Sequence, residues 1–186
     1  VRQFKLGLNL KSAFNNFILT NSIYYNRRLF DGKLPFRNGG IIDLDKSFWG
    51  YKLNFESENF MNYNLGFSYN NQNDHRKRFI NDLGIKSDMV MNQFEKYDNI
   101  GLYFFGSKNI GKLALSAGIR YDDNTITMDN ILINSDKISQ KIKSVNPSFN
   151  FNYTFKNFGI FSNISTGYET PTLNELSATI DQSGFN

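Results

Sequence analysis

NPSFNFNYTF, Asn146 to Phe155, decides the fold: Pro147, Phe149, Phe151, Tyr153 and Phe155 alternate with Asn146, Ser148, Asn150, Asn152 and Thr154. A strict period of two places every large apolar side chain on one face of an extended chain and every small polar one on the other. Asn is a poor helix former and a poor strand former. Its use at every second position is explained if that strand face sits in water.

The same alternation recurs in both directions from this segment. Phe4, Leu6, Leu8 and Leu10 alternate with Lys5, Gly7, Asn9 and Lys11; Trp49, Tyr51, Leu53 and Phe55 with Gly50, Lys52 and Asn54; Tyr63, Leu65, Phe67 and Tyr69 with Asn64, Gly66, Ser68 and Asn70. Ile100, Leu102 and Phe104 face Gly101, Tyr103 and Phe105, and Leu113, Leu115, Ala117, Ile119 and Tyr121 face Ala114, Ser116, Gly118 and Arg120. Less perfect copies at Phe17 to Asn26 and Gly159 to Gly167 bring the expected number of strands to eight. No stretch has helical periodicity.

The connections are expected to alternate in length. Short links fall near Ser12 to Asn16, Glu56 to Phe60, Ser107 to Gly111 and Lys156 to Phe158, and long polar links span Arg27 to Gly40, Asn71 to Glu95 and Asp122 to Lys143. Short and long links in turn predict an all-β, antiparallel up-and-down meander whose two ends face different environments. Strands of about ten residues are long enough to cross a bilayer when tilted. An apolar, aromatic face backed by a small polar one is the pattern of an outer-membrane barrel. A soluble sandwich also alternates, but its inward face is a dry core, whereas Lys5, Lys52, Lys112 and Arg120 suit a watery lumen. Tyr69, Tyr121, Trp49 and Phe155 stand at the ends of apolar faces, where an interfacial girdle belongs.

Composition narrows the function classes. The 186 residues include 19 Phe, 10 Tyr and 27 Asn but no Cys, which removes disulfide frameworks, thiol catalysis and cysteine zinc sites. Net charge is +4, and no run of about eighteen apolar residues signals a transmembrane helix. GSKNIGKL, Gly106 to Leu113, approaches a phosphate-binding loop, yet Leu113 replaces the metal-binding hydroxyl and a strand follows where a helix is required. A tight hairpin turn explains its Gly and Asn. Asp43/Asp45 and Asp122/Asp123 lack the spacing of a calcium loop and read as strand ends near an aqueous rim. His75 is the only histidine, set in DHRKRF, Asp74 to Phe79. One reading of that segment is a solvated loop base; the other is that Arg76, Lys77 and Arg78 meet an anion, a ligand or an outer-leaflet lipid phosphate. Neither a catalytic residue nor a cofactor or metal site is indicated, and nucleic-acid binding is disfavoured because the aromatics sit on the face opposite the polar residues.

The last segment adds a family resemblance. NISTGYETPTLNELSATIDQSGFN, Asn163 to Asn186, resembles a late-middle part of the barrel of TonB-dependent outer-membrane receptors, and Thr166, Gly167, Tyr168, Glu169, Thr170, Pro171, Thr172, Asn174, Glu175 and Leu176 carry the match. IIDLDKSFWG (Ile41 to Gly50), DHRKRFIND (Asp74 to Asp82), NQFEKYDNIGLYF (Asn92 to Phe104) and LALSAGIRYDD (Leu113 to Asp123) are similar to further family strands and loops. The resemblance implies a 22-stranded barrel in the bacterial outer membrane, filled by an N-terminal plug and importing a scarce large solute, most often a ferric siderophore, with energy from the TonB complex. It implies that residues 1–186 are a partial barrel domain without the plug, and that the TonB-contacting segment lies in an N-terminal region this chain lacks. Val1 opens straight into a patterned strand, with no initiator Met or leader, which fits a slice. Physical candidates for solute contact are His75, Arg76 and Arg78 for an anionic chelate, with Tyr97, Tyr121 and Tyr168 as aromatic contacts near the external rim. The alternative is a complete eight-stranded barrel with a structural or adhesive role, which requires the first and last strands to pair. A soluble β-rich binding protein is the third class.

Overall fold

The computed structural model describes residues 1–58, 61–132 and 137–169. They form one antiparallel sheet of eight strands in sequence order: β1 (Arg2–Ala13), β2 (Phe17–Lys33), β3 (Ile41–Glu58), β4 (Asn62–Asp82), β5 (Ile85–Ile110), β6 (Leu113–Asn130), β7 (Ile138–Thr154) and β8 (Gly159–Ser165). Each strand predicted from alternation is present, and no helix occurs among the described residues. β1 and β8 form no ladder with each other, so the sheet is an open wall. The pairing that a closed eight-stranded barrel needs is therefore missing among the described residues.

Strand length corrects the sequence expectation. In place of long polar links, β2 runs to Lys33 and β3 begins at Ile41, β4 and β5 meet across Leu83 and Gly84, and β6 runs to Asn130 with β7 resuming at Ile138. The wall therefore extends as tall hairpins past the apolar segments. Above the apolar band both strand faces carry polar side chains, so apolar–polar alternation fades while the backbone keeps its ladder bonds, which no side-chain pattern reports. The β4–β5 tip closes with positive φ at Leu83 (49°) and Gly84 (92°), the conformation of a two-residue hairpin turn that follows strand twist. Gly111, at φ 59°, and Lys112 make the β5–β6 turn, so the phosphate-loop lookalike is a hairpin and Lys112 lies in a turn, not on the strand face expected for it.

The register assigns the faces. Leu8, Ile23, Tyr51, Tyr69 and Ile100 lie in one cross-strand row, and Leu53, Phe67, Leu102, Tyr121 and Val145 in the next one down. This outward face ends in aromatics at both levels. At the short-turn end Phe14, Phe17, Phe55 and Tyr63 stack in a chain with centroids 4.5, 5.0 and 5.9 Å apart. Toward the tall hairpins Trp49 packs edge-on to Tyr69 at 5.0 Å. The apolar outward band ends at Tyr25 on β2, Trp49 on β3, Tyr69 on β4, Ile100 on β5, Tyr121 on β6 and Val145 on β7, with Leu29 and Phe94 among the apolar residues beyond it. Relative to the register this boundary steps down by two residues between β3 and β4 and again between β5 and β6, because Trp49 pairs with Asn71 and Ile100 with Asp123. Strands inclined to the plane of the band produce that staircase.

The opposite, inward face explains the asparagines. Tyr24 Oη donates to Asn70 Oδ1 (2.6 Å), Asn70 Nδ2 to Asn99 Oδ1 (3.0 Å), and Asn99 Nδ2 and Tyr97 Oη both donate to Asn124 Oδ1 (2.8 and 2.7 Å). Each amide gives and takes, so one residue type carries a hydrogen-bonded chain over four strands. Two glycines shape this face. A Cβ at Gly50 would meet the Tyr24 ring at 2.4 Å and one at Gly66 the Tyr103 ring at 2.0 Å, so both tyrosines lie flat across a neighbouring strand.

Candidate functional site: the inward face below the tall hairpins

β4 and β5 present their inward residues side by side. Asp74, Arg76 and Arg78 of β4 pair in register with Glu95, Gln93 and Met91 of β5. Arg76 Nε lies 3.0 Å from Glu95 Oε1, and its Nη2 donates to Glu95 Oε2 at 3.1 Å. Gln93 Nε2 donates to Glu95 Oε1 at 2.9 Å. Glu95 and Gln93 are both buried, as is Ile126 beside them, which packs against Tyr97 and Ile142. Arg76 is thus hydrogen-bonded to Glu95 through Nη2 alone, its Nε lying close to Oε1 but buried without a hydrogen-bond partner, and the ion pair holds the guanidinium against β5.

Two groups in this cluster are less well matched. Asp74 receives Gln72 Nε2 at 3.0 Å on Oδ2 and has Lys46 Nζ 4.0 Å away, but its Oδ1 is buried without a partner. Burial, with Glu95 adding to it, pushes the Asp74 carboxyl up to about 6. Arg78 carries a buried Nε with no acceptor among the described residues. Burial and the adjacent Arg76 lower its proton affinity, and Glu95 offsets this only in part. The turn after β2 covers it: an added Cβ at Gly39 would lie 3.4 Å from Arg78 Cδ. That turn is tied to β4 by Asn81 N donating to Arg37 O (2.8 Å) and Asn81 Nδ2 donating to Leu34 O (2.8 Å).

The six candidates therefore divide between the faces. Arg76, Arg78 and Tyr97 share the inward face. His75 points outward, stacked on Phe94 at 4.0 Å with Nε2 2.8 Å from Asn92 Oδ1. Tyr121 is also outward, lining an apolar groove with Phe67 and Leu102. Tyr168 is exposed beyond β8. DHRKRF is strand and not loop, so its alternation separates His75 and Lys77 from Asp74, Arg76 and Arg78. Of the family motif, Glu169 is exposed; Thr170, Pro171, Thr172, Asn174, Glu175 and Leu176 lie outside the described residues. Glu95, Gln93 and Asp74 were not singled out from sequence. Extending the period-two count through the charged segment finds them, because Asp74, Arg76 and Arg78 fall on one parity and Glu95 sits opposite Asp74.

A wall with one apolar face banded by aromatics and one hydrogen-bonded polar face is the wall of a transmembrane β-barrel. The chain belongs to the TonB-dependent receptor family: the model of TonB dependent receptor-like β-barrels matches residues 1–186. Members of this family are outer-membrane transporters of Gram-negative bacteria, not enzymes. No curated protein sequence matches the chain. Among solved structures it is similar to the alcaligin outer-membrane receptor FauA of Bordetella pertussis, with 13% identity over 84% of this chain and a TM-score of 0.39. The chain spans 33% of FauA's length.

Proposed function

We propose that residues 1–186 are a stretch of the barrel wall of an outer-membrane TonB-dependent importer that carries an anionic iron chelate, a ferric siderophore. In this reading the rest of a 22-stranded barrel, the plug and the TonB-contacting segment are supplied outside these residues, and the outward face meets outer-membrane lipid. The observation that carries the solute assignment is Arg78, an inward cation whose Nε has no acceptor among the described residues. Arg78 is half-buried with Glu95 as its nearby charge, and a buried guanidinium N–H left without an acceptor is costly unless something supplies one. An anionic chelate descending from the tall hairpins would do so, and Arg76, already held by Glu95, would add to the field without moving.

The test uses the full-length receptor. Arg78→Gln keeps size and hydrogen-bonding capacity but removes the charge. Losing one charge-assisted hydrogen bond, about 1.5–3 kcal/mol, weakens binding of negatively charged ferric chelates roughly ten- to a hundredfold and lowers their energy-dependent uptake, with neutral solutes unaffected. Unchanged binding and uptake across a panel of anionic ferric chelates would overturn the assignment.

A further inference from the structure

Asp74 lies in the same inward cluster as Arg76 and Arg78, yet its bonds go elsewhere. The register sets it between Lys46 of β3 and Glu95 of β5, with Arg28 of β2 beyond Lys46 and the uncharged Met128 of β6 beyond Glu95. Along β4 its neighbours on that face are Gln72 and Arg76, and Arg78 stands one step further. Two carboxylates thus lie side by side in the buried part of the wall, and the donors around them are shared unequally. Glu95 takes Arg76 and Gln93. Asp74 has Gln72 at 3.0 Å and Lys46 only at 4.0 Å, and its Oδ1 meets no donor among the described residues although the side chain is 3% exposed.

Two adjacent carboxylates with a close counter-charge for one of them favour a proton on the other, and burial pushes the Asp74 carboxyl up to about 6. Strand geometry couples that proton to an anion. Successive inward residues are roughly 7 Å apart, so a solute anion at Arg76 or Arg78 stands roughly 7–13 Å from Asp74. At the effective dielectric of a protein wall, a charge at that range changes affinity several-fold to about tenfold. An ionised Asp74 opposes the anion and a protonated one does not. By linkage, the bound anion favours the proton in the same measure.

We propose that Asp74 is a specificity-determining residue of the inward site: its carboxyl takes up a proton from solvent as an anionic solute settles against the neighbouring cations, so the wall captures anions more tightly in acid than at neutral pH. This role rests on the reading of an anionic solute given above and adds the group that sets its pH dependence.

The test uses the full-length receptor in detergent and, as probe, the ferric complex of diethylenetriaminepentaacetate, an anion whose carboxylates are ionised or metal-bound from about pH 5 to 8. Isothermal titration calorimetry in two buffers of different ionisation enthalpy reads affinity and proton uptake together. The expected result is binding about five- to tenfold tighter at pH 5.5 than at pH 7.5, with roughly half a proton taken up per anion near pH 6.5. Asp74→Asn keeps the shape of the side chain, should hold the acid affinity across the range, and should lose that proton uptake. His75, the only histidine of the chain, is present in both proteins, so its titration cancels in the comparison. Equal pH dependence in the receptor and Asp74→Asn, or proton uptake unchanged by the substitution, overturns the proposal. If Asp74→Asn lacks the heat-modifiable gel mobility of a folded barrel, the unaltered receptor decides, and no proton uptake near pH 6.5 overturns the proposal. Failure of either kind while Arg78→Gln still weakens the anion about tenfold removes only this proposal. Asp74-dependent proton uptake with no effect of Arg78→Gln removes only the solute contact at Arg78. No binding of the anion at any pH overturns both.

Discussion

Arg76 on β4 lies against both carboxylate oxygens of Glu95 on β5, with Nε 3.0 Å from Oε1 and Nη2 donating to Oε2 at 3.1 Å, where Glu95 and Gln93 are packed out of water. The pair sits on a register diagonal, since Arg76 lies opposite Gln93 and Glu95 opposite Asp74, so it ties the two strands together beyond their ladder bonds. Arg76→Met leaves the buried Glu95 carboxylate without its counter-ion, with Gln93 still donating to it, and should cost about 3–5 kcal/mol. Replacing both, as Arg76→Met with Glu95→Leu, should recover most of that. Urea unfolding of the folded full-length receptor measures the cycle, and additive losses in the double variant would show that the two side chains do not act as a pair.

Asp74 sets a pH dependence of opposite sign to that of an ordinary salt-bridged aspartate. Its folded-state pKa, pushed by burial to about 6, lies above the ordinary aspartate value of 3.8. The contribution it makes is therefore full below about pH 4 and is lost as pH rises through 6, where the buried carboxyl must ionise. About two pKa units correspond to something on the order of 3 kcal/mol at pH 7. Asp74→Asn should stabilise the receptor at pH 7 and be close to neutral at pH 3.5. Parallel stability-versus-pH curves for the two proteins would refute this.

Gly66 lies directly opposite Tyr103, whose ring occupies the space where a Cβ would be. Gly66→Ala should displace the ring, break the 2.7 Å bond from Tyr103 Oη to Asn54 Oδ1 and cost about 1–3 kcal/mol. Adding Tyr103→Ser should remove most of the strain term. If Gly66→Ala is neutral alone, the tyrosine does not lie flat on that glycine.

Leu102 sits in the middle of the outward band between Phe67 and Tyr121, and Ile110 at its short-turn end. Leu102→Arg should cost about 2–4 kcal/mol in a bilayer and Ile110→Arg about 0–1 kcal/mol. Folding titrations in lipid vesicles read the difference. Equal costs at the two positions would argue against a lipid-facing band.

Much of this fold is legible without coordinates because lipid on one side and water on the other impose a period of two that no helix reproduces. NPSFNFNYTF and its relatives therefore give strand identity, the antiparallel meander and the sorting of aromatics from asparagines. The same logic explains where sequence reading stops. Between Arg27 and Gly40, and between Asn71 and Glu95, both faces carry polar and charged side chains, so composition resembles loop while backbone hydrogen bonds continue the ladder. The candidate site lay in that zone: Arg76 and Arg78 were found as a basic run, but their neighbours were not.

Sequence alone determined the class of structure, through alternation, and the family, through the strings around LALSAGIRYDD and TGYETPT. Tertiary structure decided which charges share a face and which partner each has. A one-residue step in a strand is a change of side, so His75 and Arg76, adjacent in the chain, look out of opposite faces of the wall. Cross-strand register, which no single segment encodes, then places Glu95 against Arg76, His75 against Phe94, and leaves Arg78 Nε without an acceptor among the described residues.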